Sequence, residues 1–170
     1  MTDCARLFIA IAPGRALRES LFGLAQHLHA EAGGRIVPAA NLHLTLAFLG
    51  QTNLARVPDI LKILGEWPTD LPPLSFDRVG SFKSARVVWA GCSAMMPVWN
   101  EAVADLQARL REQNIAFDNK PWRAHVTLLR KTTLPDQLLD QPLTWQTGAP
   151  QLFVSQAGEH GPVYRPVGLV

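Results

Sequence analysis

Cysteine is scarce in this chain: two in 170 residues, Cys4 and Cys92, in no C-x-x-C spacing. So few thiols exclude a disulfide scaffold and a cysteine-built metal site. No apolar run is long enough to span a bilayer. The longest near the N-terminus, within Arg6 to Ala12, is about six residues against the roughly twenty that a helix needs. It stops at Pro13-Gly14 and does not read as a secretory leader. Charge of one sign is also missing. Sixteen basic and fourteen acidic residues leave a formal net charge of +2, which allows a phosphate-bearing ligand without demanding one. Lysine is rare, four against twelve arginines, a bias of composition that also favours the better bidentate phosphate binder. These absences point to a cytoplasmic protein with no membrane segment and no obligate protein partner. What is abundant is apolar: 48 % of residues are hydrophobic and 18 % charged, a globular composition.

Periodicity divides the chain into short elements. Arg6 to Ala12 reads as a strand buried on both faces. Leu17, Leu21, Leu24 and Leu28 then recur at helical steps from Arg15 to about Ala32, closed by Gly33-Gly34. After a loop at Pro38 to Asn41, His43 to Leu49 reads as a strand. The spacing predicts a helix over Val57 to Trp67, with Pro58 in its first turn, and strands at Leu74 to Val79 and Arg86 to Ala90. Trp99, Val103, Leu106 and Leu110 mark a second amphipathic helix. Arg123 to Leu129 is another strand. Further strands are expected at Leu143 to Thr147 and Gln151 to Ser155, with an edge strand in the tail from Pro162 to Val170.

Strand, helix, His-x-Thr strand thus occurs twice. Ile9 precedes His43 by 34 residues and Val88 precedes His125 by 37. The order of elements, more than the letters, indicates an internal duplication. No linker separates the two halves, so they are expected to pack as lobes and not as beads. In a strand, alternate side chains share a face. His43 and Thr45 therefore face one way, Leu44 and Leu46 the other, and His125 and Thr127 are set against Val126 and Leu128 likewise. The apolar pair is expected to pack on the helix preceding it, leaving the polar pair to line a groove.

Two imidazoles and two hydroxyls suit in-line attack on a phosphodiester. One imidazole takes a proton from the nucleophile and the other gives one to the leaving oxygen, both near neutral pH. The hydroxyls donate to non-bridging oxygens. A single strand histidine is usually an ordinary polar residue; two in matched contexts, HLTLAFLG and HVTLLRK, are not easily dismissed. A zinc site is disfavoured, because neither motif carries H-x-x-x-H, H-x-H or a nearby carboxylate cluster. No metal and no cofactor is expected.

The segments NLHLTLAFLG (Asn41 to Gly50) and KPWRAHVTLLRK (Lys120 to Lys131), with RLFIAI and RVVWAG, resemble the 2H phosphoesterase family. The likeness is to its bacterial and archaeal RNA 2′,3′-cyclic phosphodiesterases, also called 2′-5′ RNA ligases, and is loose over the last 40 residues. The resemblance implies an α+β fold, a single bilobal domain over 1–170, with two pseudo-symmetric lobes, antiparallel sheets around a central groove and helices outside. It implies His43 and His125 as the catalytic pair, with Thr45, Thr127 and Arg130 on the phosphate. Ala124 stands where family members often have proline. The implied activity is opening of RNA 2′,3′-cyclic phosphate ends to 2′-phosphates, with reverse 2′-5′ ligation. The implied partner is an RNA with such an end, tRNA fragments among them. The alternatives are a phosphodiesterase acting on small cyclic nucleotides or 2′-5′ oligonucleotides, and a non-catalytic RNA-end binding module.

Several assignments stay open at this level. Arg130 lies five residues past His125, so strict alternation sends it to the wrong face. Phe48 has the same offset from His43, and core packing competes with base stacking there. Trp122 is a second candidate base contact, and Phe82 a weaker one. His27 and His29 read as solvated, His160 as a residue of a turn near the groove rim, and both cysteines as small buried residues.

Overall fold

A computed structural model describes residues 3–168. Nine strands and three helices follow in the order β1 (Cys4–Ile11), α1 (Arg15–Ala32), β2 (Arg35–Ile36), β3 (Leu44–Asn53), α2 (Val57–Leu64), β4 (Leu74–Phe82), β5 (Val87–Gly91), α3 (Pro97–Glu112), β6 (His125–Arg130), β7 (Gln137–Trp145), β8 (Gln151–Gly158) and β9 (Gly161–Pro166). The strands form two antiparallel sheets, β3-β1-β8-β9 and β2-β6-β5-β4-β7. The α+β architecture with two sheets is as expected. The tail does form an edge strand, β9, although Leu169 and Val170 lie outside the described residues.

β1 shows why its run is apolar throughout. Leu7, Ile9 and Ile11 enter the main core, while Phe8 and Ala10 join Phe153 in a smaller cluster on the opposite face. The main core is continuous. It includes Leu44 and Leu46 of β3, Leu21 and Leu28 of α1, Trp99 and Leu110 of α3, and Val126 and Leu128 of β6. α2 stops at Leu64, three residues earlier than the periodicity suggested, and Trp67 instead packs on Trp99 with ring centroids 6.1 Å apart.

α1 shares the main core with Leu44 and Leu46 of β3, but its closest backbone approaches are to β6, β2 and β7 of the other sheet. A helix between neighbouring strands ordinarily returns the chain parallel, but β1 and β3 are antiparallel, so the connection needs an extra traverse. The β2 segment supplies it and crosses to the second sheet, where Arg35 and Ile36 pair with Arg130 and Leu129. The second half does the same in reverse. After α3 the chain runs beside β3, with the Asp118 N–H donating to the Phe48 carbonyl (2.8 Å). Each half thus braces the histidine strand of the other. The readings of three single residues also change. Cys4 is exposed, because at that point β1 pairs with β3 alone, and Cys92 is half-buried. His29 is held at the end of α1, its Nε2 3.1 Å from the Gly34 carbonyl, whereas His27 is exposed.

Candidate active site

Both histidines stand at the start of their strands and share one local geometry. Nδ1 of His43 lies 2.6 Å from the Asn41 carbonyl, and Nδ1 of His125 lies 2.7 Å from the Arg123 carbonyl. A carbonyl only accepts, so Nδ1 carries the proton in each ring. The neutral tautomer then has a free lone pair on Nε2, the state of a base; the charged ring has a proton there, the state of an acid. The preceding loops are anchored as well. The Asn41 side-chain amide donates to the Pro162 carbonyl (2.8 Å), and the Trp122 indole N–H donates to the Thr45 carbonyl (2.9 Å).

The geometric difficulty with Arg130 is resolved by a β-bulge. In the pairing of β5 with β6, Val88 opposes Leu129 and Trp89 opposes Thr127, so Leu128 has no partner. An extra residue in one strand shifts the alternation by one. Leu128 and Leu129 are both buried, and Arg130 comes to the face of His125 and Thr127. β3 repeats this. Ile9 opposes Ala47 and Ala10 opposes Thr45, leaving Leu46 unpaired; Leu46 and Ala47 are both buried, and Phe48 comes to the face of His43. The bulge falls three residues past the histidine in both motifs. Alternation alone gives no sign of it.

His43, Thr45, His125, Thr127, Arg130 and Phe48 converge on one groove of about 530 Å³. Trp122 does not reach it. It packs on the main core and borders a separate hollow that His125 also lines. His160 is absent from the groove, with its carbonyl accepting from Arg35, but its neighbours Pro162 and Tyr164 line the wall. Sequence reasoning missed Arg6, Phe8, Asn41 and Tyr164. Arg6 and Phe8 alternate with the core residues of β1, a signal hidden by the apolar run. Tyr164, the one tyrosine in the sequence, sits edge-on to His43 (5.2 Å, 89°), and Phe8 tilts against the same imidazole (4.9 Å). Arg6 lies over the Phe48 ring at 5.0 Å.

The groove is cationic. Arg6 and Arg130 line it, and none of its lining residues is a carboxylate. Burial holds the His43 imidazole below the ordinary histidine range; the Asn41 carbonyl works the other way, and the neighbouring His125 and Arg130 add to the lowering. His125 is lowered too, by burial first, against the Arg123 carbonyl, with the Arg123 cation adding to the effect. Among the described residues no three His, Cys, Asp or Glu side chains are grouped so as to hold a metal ion. What the arrangement offers is two preset imidazoles, two hydroxyls and two guanidinium groups around a space for a small anion.

This groove between two sheets, with a His-x-Thr strand on either side, is the constellation of a two-histidine phosphoesterase. The family model of the LigT-like phosphoesterases matches residues 11–89, and the chain belongs to this family, within the 2H phosphoesterases. It is similar to the RNA 2′,3′-cyclic phosphodiesterase of Escherichia coli K12, with 33 % identity over 131 residues, 76 % of this chain and 74 % of that protein. The enzyme of the same name from Archaeoglobus fulgidus is 30 % identical over 128 residues, covering 74 % and 72 %. Among solved structures, Escherichia coli LigT complexed with 3′-AMP matches with a TM-score of 0.81 at 26 % identity, over 98 % of this chain and 97 % of that one. A Thermus thermophilus protein matches at 0.77 and 27 %, over 96 % and 95 %. Among the described residues no helix is long and apolar enough to cross a membrane.

Proposed function

We propose that this protein opens 2′,3′-cyclic phosphate ends of RNA to 2′-phosphates, without a metal, by proton transfer through His43 and His125. The observation that carries this reading is the pairing of Nδ1 with a backbone carbonyl at both histidines, which leaves two Nε2 atoms for one phosphate. The names of the relatives support the substrate class. Thr45 and Thr127 donate to the non-bridging oxygens, and Arg130 balances the charge that builds on them. Phe48, beside Phe8 and Tyr164, offers an aromatic wall to the terminal base. RNA ends, those of tRNA fragments included, are the partner. Two unpaired cysteines favour a reducing cytoplasm as the setting.

A 2′-phosphate forms only if the 3′ oxygen leaves. His43 acts as the acid at that oxygen and His125 as the base on the attacking water. In the free protein Arg130 and His125 both oppose a charge on His43. The acid is therefore loaded by the substrate itself, whose phosphate anion favours the imidazolium. The same two proton transfers, with a 5′-hydroxyl attacking in place of water, give 2′-5′ ligation.

The test uses His43→Ala and His125→Ala on RNA with a cyclic phosphate end. Each substitution is expected to lower turnover by about 10²–10⁴-fold, the usual range for positioned proton transfer. On a substrate with a low-pKa leaving group, His43→Ala is expected to lose less than His125→Ala, because that group departs without a proton. Equal losses on natural and activated substrates would remove the acid assignment. Near-normal turnover in either variant would remove the two-histidine mechanism.

A further inference from the structure

His125 lines the groove and also borders a separate hollow of about 160 Å³. Its floor is the face of the five-stranded sheet that carries the catalytic motif. Trp89 pairs directly with Thr127 and with Gly80, and Gly91 pairs with His125, so these residues share the face of the catalytic motif. A Cβ at Gly80 or Gly91 would stand 2.6 Å or 2.9 Å from the benzo ring of Trp89. The two glycines therefore let the indole lie flat on the sheet. Phe82 and Trp122 form aromatic walls, and Arg78, Arg123 and Asn100 supply polar groups at the rim. Arg78 lies over the Trp89 ring at 5.5 Å, and Phe82 meets His125 edge-on at 5.0 Å. The Trp89 indole N–H is buried without a hydrogen-bond partner, although Trp89 is only 5 % exposed. A buried donor left unpaired costs stability unless something uses it.

Aromatic faces, guanidinium planes and an unused donor are the features by which proteins hold a single unpaired base. Position decides which base. In in-line displacement the entering and leaving oxygens lie on opposite sides of phosphorus. The nucleoside that owns the cyclic phosphate occupies the aromatic wall beside His43. A nucleoside bringing the entering oxygen must lie beyond His125. We propose that this hollow seats the base of a nucleoside with a free 5′-hydroxyl, making it the acceptor subsite for 2′-5′ bond formation. The inference rests on the reading of the groove given above. In the step it serves, the 5′ O–H gives its proton to Nε2 of His125 and the O5′–P bond forms. The P–O3′ bond breaks, and the 3′ oxygen takes the proton held by His43. Atoms and charge balance with no nucleotide consumed. In reverse, a 2′-5′ dinucleotide returns a cyclic phosphate and a nucleoside.

The test compares two probes, 2′-5′-linked diadenosine monophosphate and adenosine 2′,3′-cyclic phosphate, on the wild-type protein and on Arg78→Ala and Trp89→Phe. Only the dinucleotide has a base for the hollow. The expected result is a KM for the dinucleotide raised about tenfold in each variant, the scale of a lost stacking or buried polar contact. Hydrolysis of the cyclic phosphate stays unchanged, which also reports that the variants are folded. An unchanged KM for the dinucleotide overturns the proposal, and so do equal losses on both probes. Wild-type protein that opens the cyclic phosphate but never cleaves the dinucleotide overturns it as well. If the wild type opens neither, the reading of the groove has failed and this inference falls with it.

Discussion

Replacing Arg130 by methionine isolates what the β6 bulge is for. Methionine keeps a long flexible side chain and removes the cation. Because Leu128 takes no partner in the sheet, the guanidinium faces the groove, where it lines the same space as both imidazoles. A hydrogen bond to a charged group contributes roughly 1.5–3 kcal/mol. Each 1.4 kcal/mol is a factor of ten, so kcat/KM on a cyclic phosphate should fall about ten- to a hundred-fold. A second effect runs through His43. Arg130 is one of the charges that lower its pKa, after burial and with His125. Without it the charged imidazole is less opposed, so the His43 pKa must rise. NMR titration of the ring in the free protein reads this directly, with His43→Ala identifying the resonance. Phe48→Leu, at the equivalent bulge of β3, removes no charge and should leave the His43 titration in place. Unchanged kcat/KM together with an unmoved titration in Arg130→Met would mean that the bulge does not deliver the guanidinium to the phosphate, and the argument from register would be refuted.

Thr45→Val and Thr127→Val each remove one hydroxyl from the groove with little change of shape, and each should slow turnover about ten- to a hundred-fold; steady-state kinetics at saturating substrate decide it, and wild-type rates in both would exclude contact with the phosphoryl oxygens. Trp99 is wholly buried and its indole N–H donates to the Pro72 carbonyl at 2.9 Å, so Trp99→Ala should cost about 3–5 kcal/mol in denaturant titration. Stability should also follow pH. His43 and His125 are depressed in the folded protein, so below the unfolded value of about 6.5 the unfolded chain binds more protons. Stability from this source is complete above that value and is lost as pH falls through it toward the folded values. Thermal melts against pH should show this loss in the wild type and a smaller one in the His43→Ala/His125→Ala double variant; the same loss in both would contradict it. At Gly34, where φ is +81° and an added Cβ would stand 2.6 Å from the Arg130 carbonyl, Gly34→Ala should lower the melting temperature, whereas Gly23→Ala on open helix surface should not.

Most of the elements were legible because their apolar residues repeat at the period of the element. α1 begins and ends where the leucine spacing and the Gly33-Gly34 pair put it. β2 was not legible: two residues, Arg35 and Ile36, contain no period at all. The first part of β7 was missed for a related reason. It is largely exposed, and Leu138 at 74 % exposure breaks any inward pattern. In the site, His43, Thr45, His125 and Thr127 could be placed on one face by alternation, since no bulge precedes them within their strands. Arg130 and Phe48 could not, because an unpaired residue in a ladder is a property of two strands together. The crossing of α1 to the second sheet was hidden in the same way, because amphipathicity says which face of a helix is buried and not which sheet buries it. Trp122 could not be placed from sequence, because an aromatic residue near a catalytic motif looks alike whether it lines the groove or a neighbouring hollow.

The claim on which the rest depends is that two histidines open a cyclic phosphate with no metal and release the 3′ oxygen. It is tested most directly by incubating the protein with an RNA bearing a 2′,3′-cyclic phosphate end in EDTA and locating the phosphate in the product by phosphorus NMR. The account predicts full turnover in chelator and a 2′-phosphate as the product. A 3′-phosphate, or activity lost in EDTA and restored by a divalent ion, would contradict it.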